Sequence, residues 1–205
     1  MDVIHEFFSN VYNVPELIRL VGFYGLILIV FAETGLLVGF FLPGDSLLIT
    51  AGLFAARGDF DYAMLLVALI PAAIIGNATG YYIGHRTGMT LYSRPNSLLF
   101  RREHLRMTHE YYEKHGGKTI VLAQFIPILR TFAPVVAGAA EMGYTRFATY
   151  NVVGAIAWVA SMTLGGYALG NIVPNIEQRI HYVVAVVIAI SLLPPAIAWF
   201  RRRRA

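Results

Sequence analysis

From Leu17 to Phe54 nearly every position is Leu, Ile, Val, Phe, Gly or Ala, yet Glu33, Asp45 and a Pro43-Gly44 pair interrupt the run. Backbone this apolar belongs at membrane depth, where a carboxylate costs roughly 2.5 to 3.5 kcal/mol on insertion scales and marks a functional position by default. Pro43 lacks an amide proton and Gly44 permits left-handed dihedrals, so helical hydrogen bonding should stop there. The arm after the break, Leu47–Ala56, is about 15 Å of helix against a hydrocarbon core of about 30 Å and cannot span. The pattern predicts a re-entrant hairpin with arms Val21–Leu42 and Leu47–Ala56, its tip lining a site, because broken backbone at that depth needs protein or a wet cavity around it.

Before the hairpin, residues 1–20 alternate apolar and polar positions at helical spacing and predict a helix lying in the interface. After it, Arg57, Gly58, Asp59 and Asp61 make a polar turn, and Tyr62–His85 is long enough to span, with a kink expected at Pro71. Gly76, Gly80 and Gly84 recur at four-residue spacing on it, the signature of close helix packing. Arg86–Lys118 is polar and predicts a cytoplasmic loop with an amphipathic helix over Leu98–Lys114. Thr119–Met142 is apolar again, with breaks expected at Pro127 and Pro134 and with Gln124 and Arg130 inside it: a second hairpin. Phe147–Leu169 spans, with Gly154, Gly165, Gly166 and Gly170 for packing; Tyr182–Phe200 spans last, and four arginines follow.

The two halves superpose in sequence: FLPGD at 41–45 on FIPIL at 125–129, AG at 51–52 on AG at 137–138, and GYYIG at 80–84 on GYALG at 166–170. Twelve of the sixteen basic residues fall in Arg86–Lys118, Arg146 and Arg201–Arg204, which the positive-inside rule places in the cytoplasm. One spanning helix separates the hairpins, so they enter from opposite faces. The expected fold is an all-α polytopic membrane protein: one domain over residues 1–205, an inverted repeat (about 1–86 and 95–171) of interfacial helix, re-entrant hairpin and transmembrane helix, plus a C-terminal transmembrane helix at about 181–200. Such inverted repeats serve alternating access near the midplane.

Composition narrows the class. With 57% hydrophobic and 14% charged residues, the chain is excluded from the ordinary soluble domains. The absence of cysteine excludes disulfides and thiolate metal sites. The acidic start MDVIHEFFSN does not resemble a cleavable signal, so the first segment is expected to stay in the mature protein. A net charge of +4 does not imply nucleic acid, because the basic residues flank apolar segments, where topology and headgroups account for them.

Candidate chemistry concentrates on the hairpins. Glu33 and Asp45 are expected to take up and release protons, and Arg130, whose planar fork suits phosphate or carboxylate, to hold an anionic headgroup with Gln124 beside it. Neutralising one of the two acids is the competing role for Arg130, and the two roles can alternate. Glu141 is expected to be interfacial. His104, His109 and His115 with Glu110 and Glu113 lack the spacing of a zincin helix and read as a solvated face. Asn77-Ala78-Thr79 is a glycosylation sequon only formally, within a span. No metal or cofactor is implied, and no nucleophile elbow or nucleotide loop is present.

Taken together, the acids with the PGD tip (Glu33, Pro43, Gly44, Asp45), the glycine run from Gly76 to Gly84, and HGGK followed by FIPILRTFAPVVAG at 115–138 resemble the DedA family of bacterial inner-membrane proteins, related to the VTT domain of eukaryotic lipid scramblases. The resemblance covers about residues 15–170. It implies proton-motive-force-dependent transport of membrane lipids across the cytoplasmic membrane, above all return of undecaprenyl phosphate, with phosphatidylethanolamine as substrate for some members. It also puts the family's functional acids on Glu33 and Asp45 and one of its hairpin arginines on Arg130; the other falls where this chain has Gln124. A lipid-phosphate enzyme is disfavoured by the absence of Lys-x6-Arg-Pro, Ser-Gly-His and an aspartate ladder, while a proton-coupled small-solute antiporter stays open. A homodimer is compatible with the sequence, and the C-terminus is expected in the cytoplasm.

Overall fold

The computed structural model describes residues 14–36, 44–92 and 117–172. Within them the chain is helical: α1 Val14–Gly35, α2 Gly44–Ala56, α3 Tyr62–Tyr92, α4 Lys118–Ala123, α5 Pro127–Ala139 and α6 Tyr144–Ile172. Two of these, over Tyr62–Gly88 and Tyr144–Ile172, are long and apolar enough to cross a membrane. Shorter apolar helices, Val21–Gly35, Gly44–Ala56 and Leu129–Ala139, accompany these two. Pro43, most of the expected interfacial helix, the amphipathic helix expected over Leu98–Lys114, the three histidines His104, His109 and His115, and the expected C-terminal span lie outside the described residues.

Several boundaries differ from the sequence expectation. α1 is two helical pieces meeting at Gly22, whose φ of 62° only glycine adopts freely. The described helix ends at Gly35, where a Cβ would sit 2.8 Å from the Gly76 carbonyl oxygen and a bare backbone is what fits; residues 37–42 of the expected arm lie outside the described residues. Pro71 lies inside the unbroken α3. Pro134 does not break the second hairpin: it sits within α5, where it removes one backbone bond, and its ring packs toward the side-chain-free Gly80. The expected break at Pro127 is there. α4 stops at Ala123, Gln124 caps it, and Pro127 opens α5 at a position where a missing amide costs nothing. Asp61 starts α3 by accepting the Met64 N–H at 2.7 Å, an N-cap within the predicted polar turn.

The described residues fall into two compact units, 14–30, 44–70 and 159–172 in one, 31–36, 71–92 and 117–158 in the other. In the first, α2 lies on α6 with no room for side chains between them: a Cβ at Gly52 would overlap the Thr163 carbonyl, and one at Gly166 the Ile49 carbonyl. Gly170 faces Ala56 and Leu53, and the Tyr62 and Tyr167 rings sit 4.9 Å apart. In the second, α5 lies on α3 in the same manner, with Gly84 against the Val135 carbonyl, Gly88 against Ala139 and Gly138 against the Tyr81 carbonyl. Close backbone approach of this kind is how membrane helices gain dispersion contact where apolar burial gives no drive. Gly76 uses the same freedom against α1, where Thr34 and the Phe31 carbonyl crowd it. The second unit closes around Tyr81, Ile120, Ala137, Ala140, Met142 and Phe147.

Candidate functional site

The second unit places Arg130 in the first turn of α5, the end where a helix dipole disfavours a cation. It is nevertheless 2% exposed, so its charge must be held by neighbours. Three hold it. Glu33, in the last turn of α1 and also 2% exposed, accepts from Nη2 through Oε1 at 2.6 Å. The Gln124 main-chain oxygen, freed by the end of α4, accepts from Nη1 at 3.3 Å. The Trp158 ring lies under the guanidinium, 4.1 Å from Cζ to the ring centroid. Thr131, the next residue on α5, donates from Oγ1 to the Glu33 main-chain oxygen at 3.4 Å. The interrupted hairpin and the end of α1 are thus tied together at one charged pair.

Of the residues singled out in the sequence, Arg130 and Glu33 are brought into contact, the pairing that was the competing role for Arg130. Gln124 is buried next to Arg130, as its six-residue spacing suggested, but the contact is made by its carbonyl; its side-chain Oε1 is buried without a hydrogen-bond partner, with Cγ lying over Gly154. Asp45 is buried in the first turn of α2, where a carboxylate complements the helix dipole, and belongs to the other unit. Gly44 opens that helix.

Two features were missed. Trp158 carried a signal: tryptophan favours the interfacial belts, and this one stands mid-span in α6. Asn77, set aside as a formal sequon, donates to Asn151 at 2.8 Å, and Asn151 donates to the Ile74 carbonyl at 3.0 Å, a buried amide pair between α3 and α6. Asn151, Gly154 and Trp158 follow one another at helical spacing on α6, so a single face of that helix meets Asn77, Gln124 and Arg130 in turn.

Among the described residues, short apolar helices, two helices long and apolar enough to span and a buried Arg–Glu pair beside a helix break define an all-helical protein with a buried charged site. Comparison with known proteins gives the family. The VTT domain matches residues 42–168, and the chain belongs to this family, the DedA proteins. It is 46% identical to Protein DedA of Escherichia coli K12 over 100% of this chain and 97% of that protein. It is 39% identical to a membrane protein of Mycobacterium tuberculosis over 88% of this chain and 80% of the other, and 34% identical to the inner membrane protein YqjA of Escherichia coli K12 over 77% and 71%. No solved structure matches the chain.

Proposed function

We propose that this protein moves a lipid phosphate across the bacterial cytoplasmic membrane in a proton-linked cycle, undecaprenyl phosphate being the substrate. The observation that carries the reading is the buried pairing of Arg130 with Glu33 at 2.6 Å over Trp158. A planar guanidinium stacked on an indole keeps its edge for oxygen acceptors, and a phosphate presents the same oxygen pair as a carboxylate with more charge. Main-chain N–H groups in the first turn of α5 favour an anion at the same place.

Glu33 is then the competitor. In the empty state it neutralises Arg130; an arriving phosphate displaces it, and the released carboxyl, still buried, is best accommodated by taking up a proton. Substrate and proton are linked through one guanidinium, and by reciprocity each raises the affinity for the other. Of the two candidate acids, the contact with Arg130 favours Glu33 as the coupling acid. The reading is of transport rather than covalent chemistry, with hairpins of an inverted repeat entering from opposite faces and the C-terminus in the cytoplasm.

Proteoliposomes test it. Undecaprenyl phosphate should flip faster under an imposed proton gradient in wild type, without gradient dependence in Glu33→Gln, and slowly in Arg130→Lys, which keeps charge but loses the fork. Undiminished flipping by Arg130→Ala would end the headgroup role. Equal flipping of phosphatidylethanolamine would broaden the substrate to phospholipids at large.

A further inference from the structure

The charged pair is held from two sides, one resting on α3 and the other on α6. Glu33 sits in the last turn of α1, which lies on α3 at Gly76: a Cβ there would overlap the Thr34 hydroxyl and stand 2.8 Å from the Phe31 carbonyl oxygen. α5, which carries the Arg130 backbone, also lies on α3, with Gly84 against the Val135 carbonyl. The Arg130 side chain is aimed by α6. Trp158 lies under its guanidinium, and Gly154 seats Gln124, a Cβ there standing only 2.9 Å from Gln124 Cγ, while the Gln124 carbonyl accepts from Nη1. How well the guanidinium faces Glu33 therefore depends on where α6 stands along α3.

Little on α3 resists sliding. Toward α1 and α5 it presents Gly76, Gly80, Gly84 and Gly88, bare backbone that permits close approach but has no side chains to interlock along the axis. Asn77 is the exception, and it faces α6. Its Nδ2 donates to Asn151 Oδ1 at 2.8 Å, and Asn151 Nδ2 donates to the Ile74 carbonyl at 3.0 Å, so the Asn151 amide is bound to α3 at both ends. Both residues are fully buried, and Asn77 Oδ1 has no hydrogen-bond partner. An unpaired acceptor costs stability that two apolar side chains of the same size would not lose. A buried amide kept at such a cost serves register: hydrogen bonds are directional, and a slide of one turn, about 5.4 Å, would break both.

We propose that Asn77 and Asn151 are a positioning pair that sets the alignment of Arg130 with Glu33. On α6, Gly154 and Trp158 follow Asn151 on one face, the second about 10.5 Å along the axis. Fixing Asn151 on α3 thus fixes the height of both surfaces that hold the guanidinium, relative to the turn of α1 that bears Glu33. The amides bond to each other and to the Ile74 carbonyl, not to the charged pair, so they act through α6. The alignment is independent of what the protein carries; its effect on lipid-phosphate binding rests on the transport reading above.

Asn77→Leu/Asn151→Leu in the purified full-length chain tests the proposal, because removing both amides leaves neither one orphaned. Thermal unfolding in detergent of Glu33→Gln, Arg130→Met and their combination measures the coupling of the charged pair, once with the amides and once with the leucines. The leucines should cut that coupling by about half, the charge attraction surviving a displacement that the hydrogen bond does not. Calorimetric binding of farnesyl phosphate should weaken about tenfold. Gly166→Ala, whose methyl would overlap the Ile49 carbonyl in the other unit, should leave both readings unchanged and so separates alignment from stability. Asn151→Asp should match wild type at about pH 5, since a protonated carboxyl presents one acceptor and one donor as the amide does. If the leucine pair does not fold, Asn77→Ala, which removes the orphaned acceptor together with one bond, gives the same comparison. Coupling that stays at the wild-type level without the amides would overturn the proposal, whatever the affinity. Coupling that falls in a protein whose wild type binds no farnesyl phosphate would uphold the alignment and end the transport reading instead.

Discussion

Replacing Glu33 by Gln removes the carboxylate 2.6 Å from a guanidinium that is 2% exposed while keeping the side chain's shape. Removing one partner of a buried pair costs about 3 to 5 kcal/mol, because the remaining charge has neither water nor its counter-ion. At the slope of a soluble protein of this length, that is a fall in midpoint of about 6 to 20 °C. The reverse deletion, Arg130→Met, should cost less, since a carboxyl can neutralise itself by binding a proton and a guanidinium cannot. The double variant Glu33→Gln/Arg130→Met should lie closer to wild type than the sum of the two single effects. The assay is thermal unfolding in detergent across the four-member cycle, repeated with saturating undecaprenyl phosphate. In the proposed cycle the lipid phosphate takes the place of the carboxylate, so it should raise the midpoint of Glu33→Gln more than that of wild type. If Glu33→Gln unfolded with wild type and gained nothing from the lipid, the competition between carboxylate and phosphate for Arg130 would be wrong.

Trp158→Leu should weaken lipid-phosphate binding by about tenfold through loss of a desolvated cation–π contact, while Trp158→Phe, which retains an aromatic face, should recover most of it; equal binding by both variants would deny the indole any part in holding Arg130. Adjacent glycines of α6 give a packing control: Gly166→Ala, whose methyl would overlap the Ile49 carbonyl, should cost about 1 to 3 kcal/mol in thermal unfolding, and Gly165→Ala, with nothing within 4 Å, should be neutral or slightly stabilising. The chain has no cysteine, so single cysteines introduced at Asp59 and Asn96 report topology directly; opposite-side labelling is expected, and labelling of both from one side would overturn the inverted repeat.

The apolar runs determined by themselves that the chain is helical and membrane-bound, because a backbone surrounded by lipid has no other way to satisfy its N–H and C=O groups in a segment of that length. They also marked the second interruption, since Pro127 cannot continue α4, and singled out Glu33, Asp45 and Arg130, since charge is costly wherever hydrocarbon surrounds it. Pro134 shows the limit of that reasoning: a proline weakens a helix locally, and whether the helix survives depends on what packs against it, here Gly80 on another element. The need for glycine at position 35 is of the same kind, set by the Gly76 backbone from far along the chain. Which acid meets Arg130 was likewise undecided, because Glu33 and Asp45 offer the same group and only the approach of α1 to α5 brings one of them to 2.6 Å. The Asn77–Asn151 pair came from tertiary structure alone, since an amide in sequence carries no sign of its partner, and the mid-span position of Trp158 did not say which cation its ring would meet.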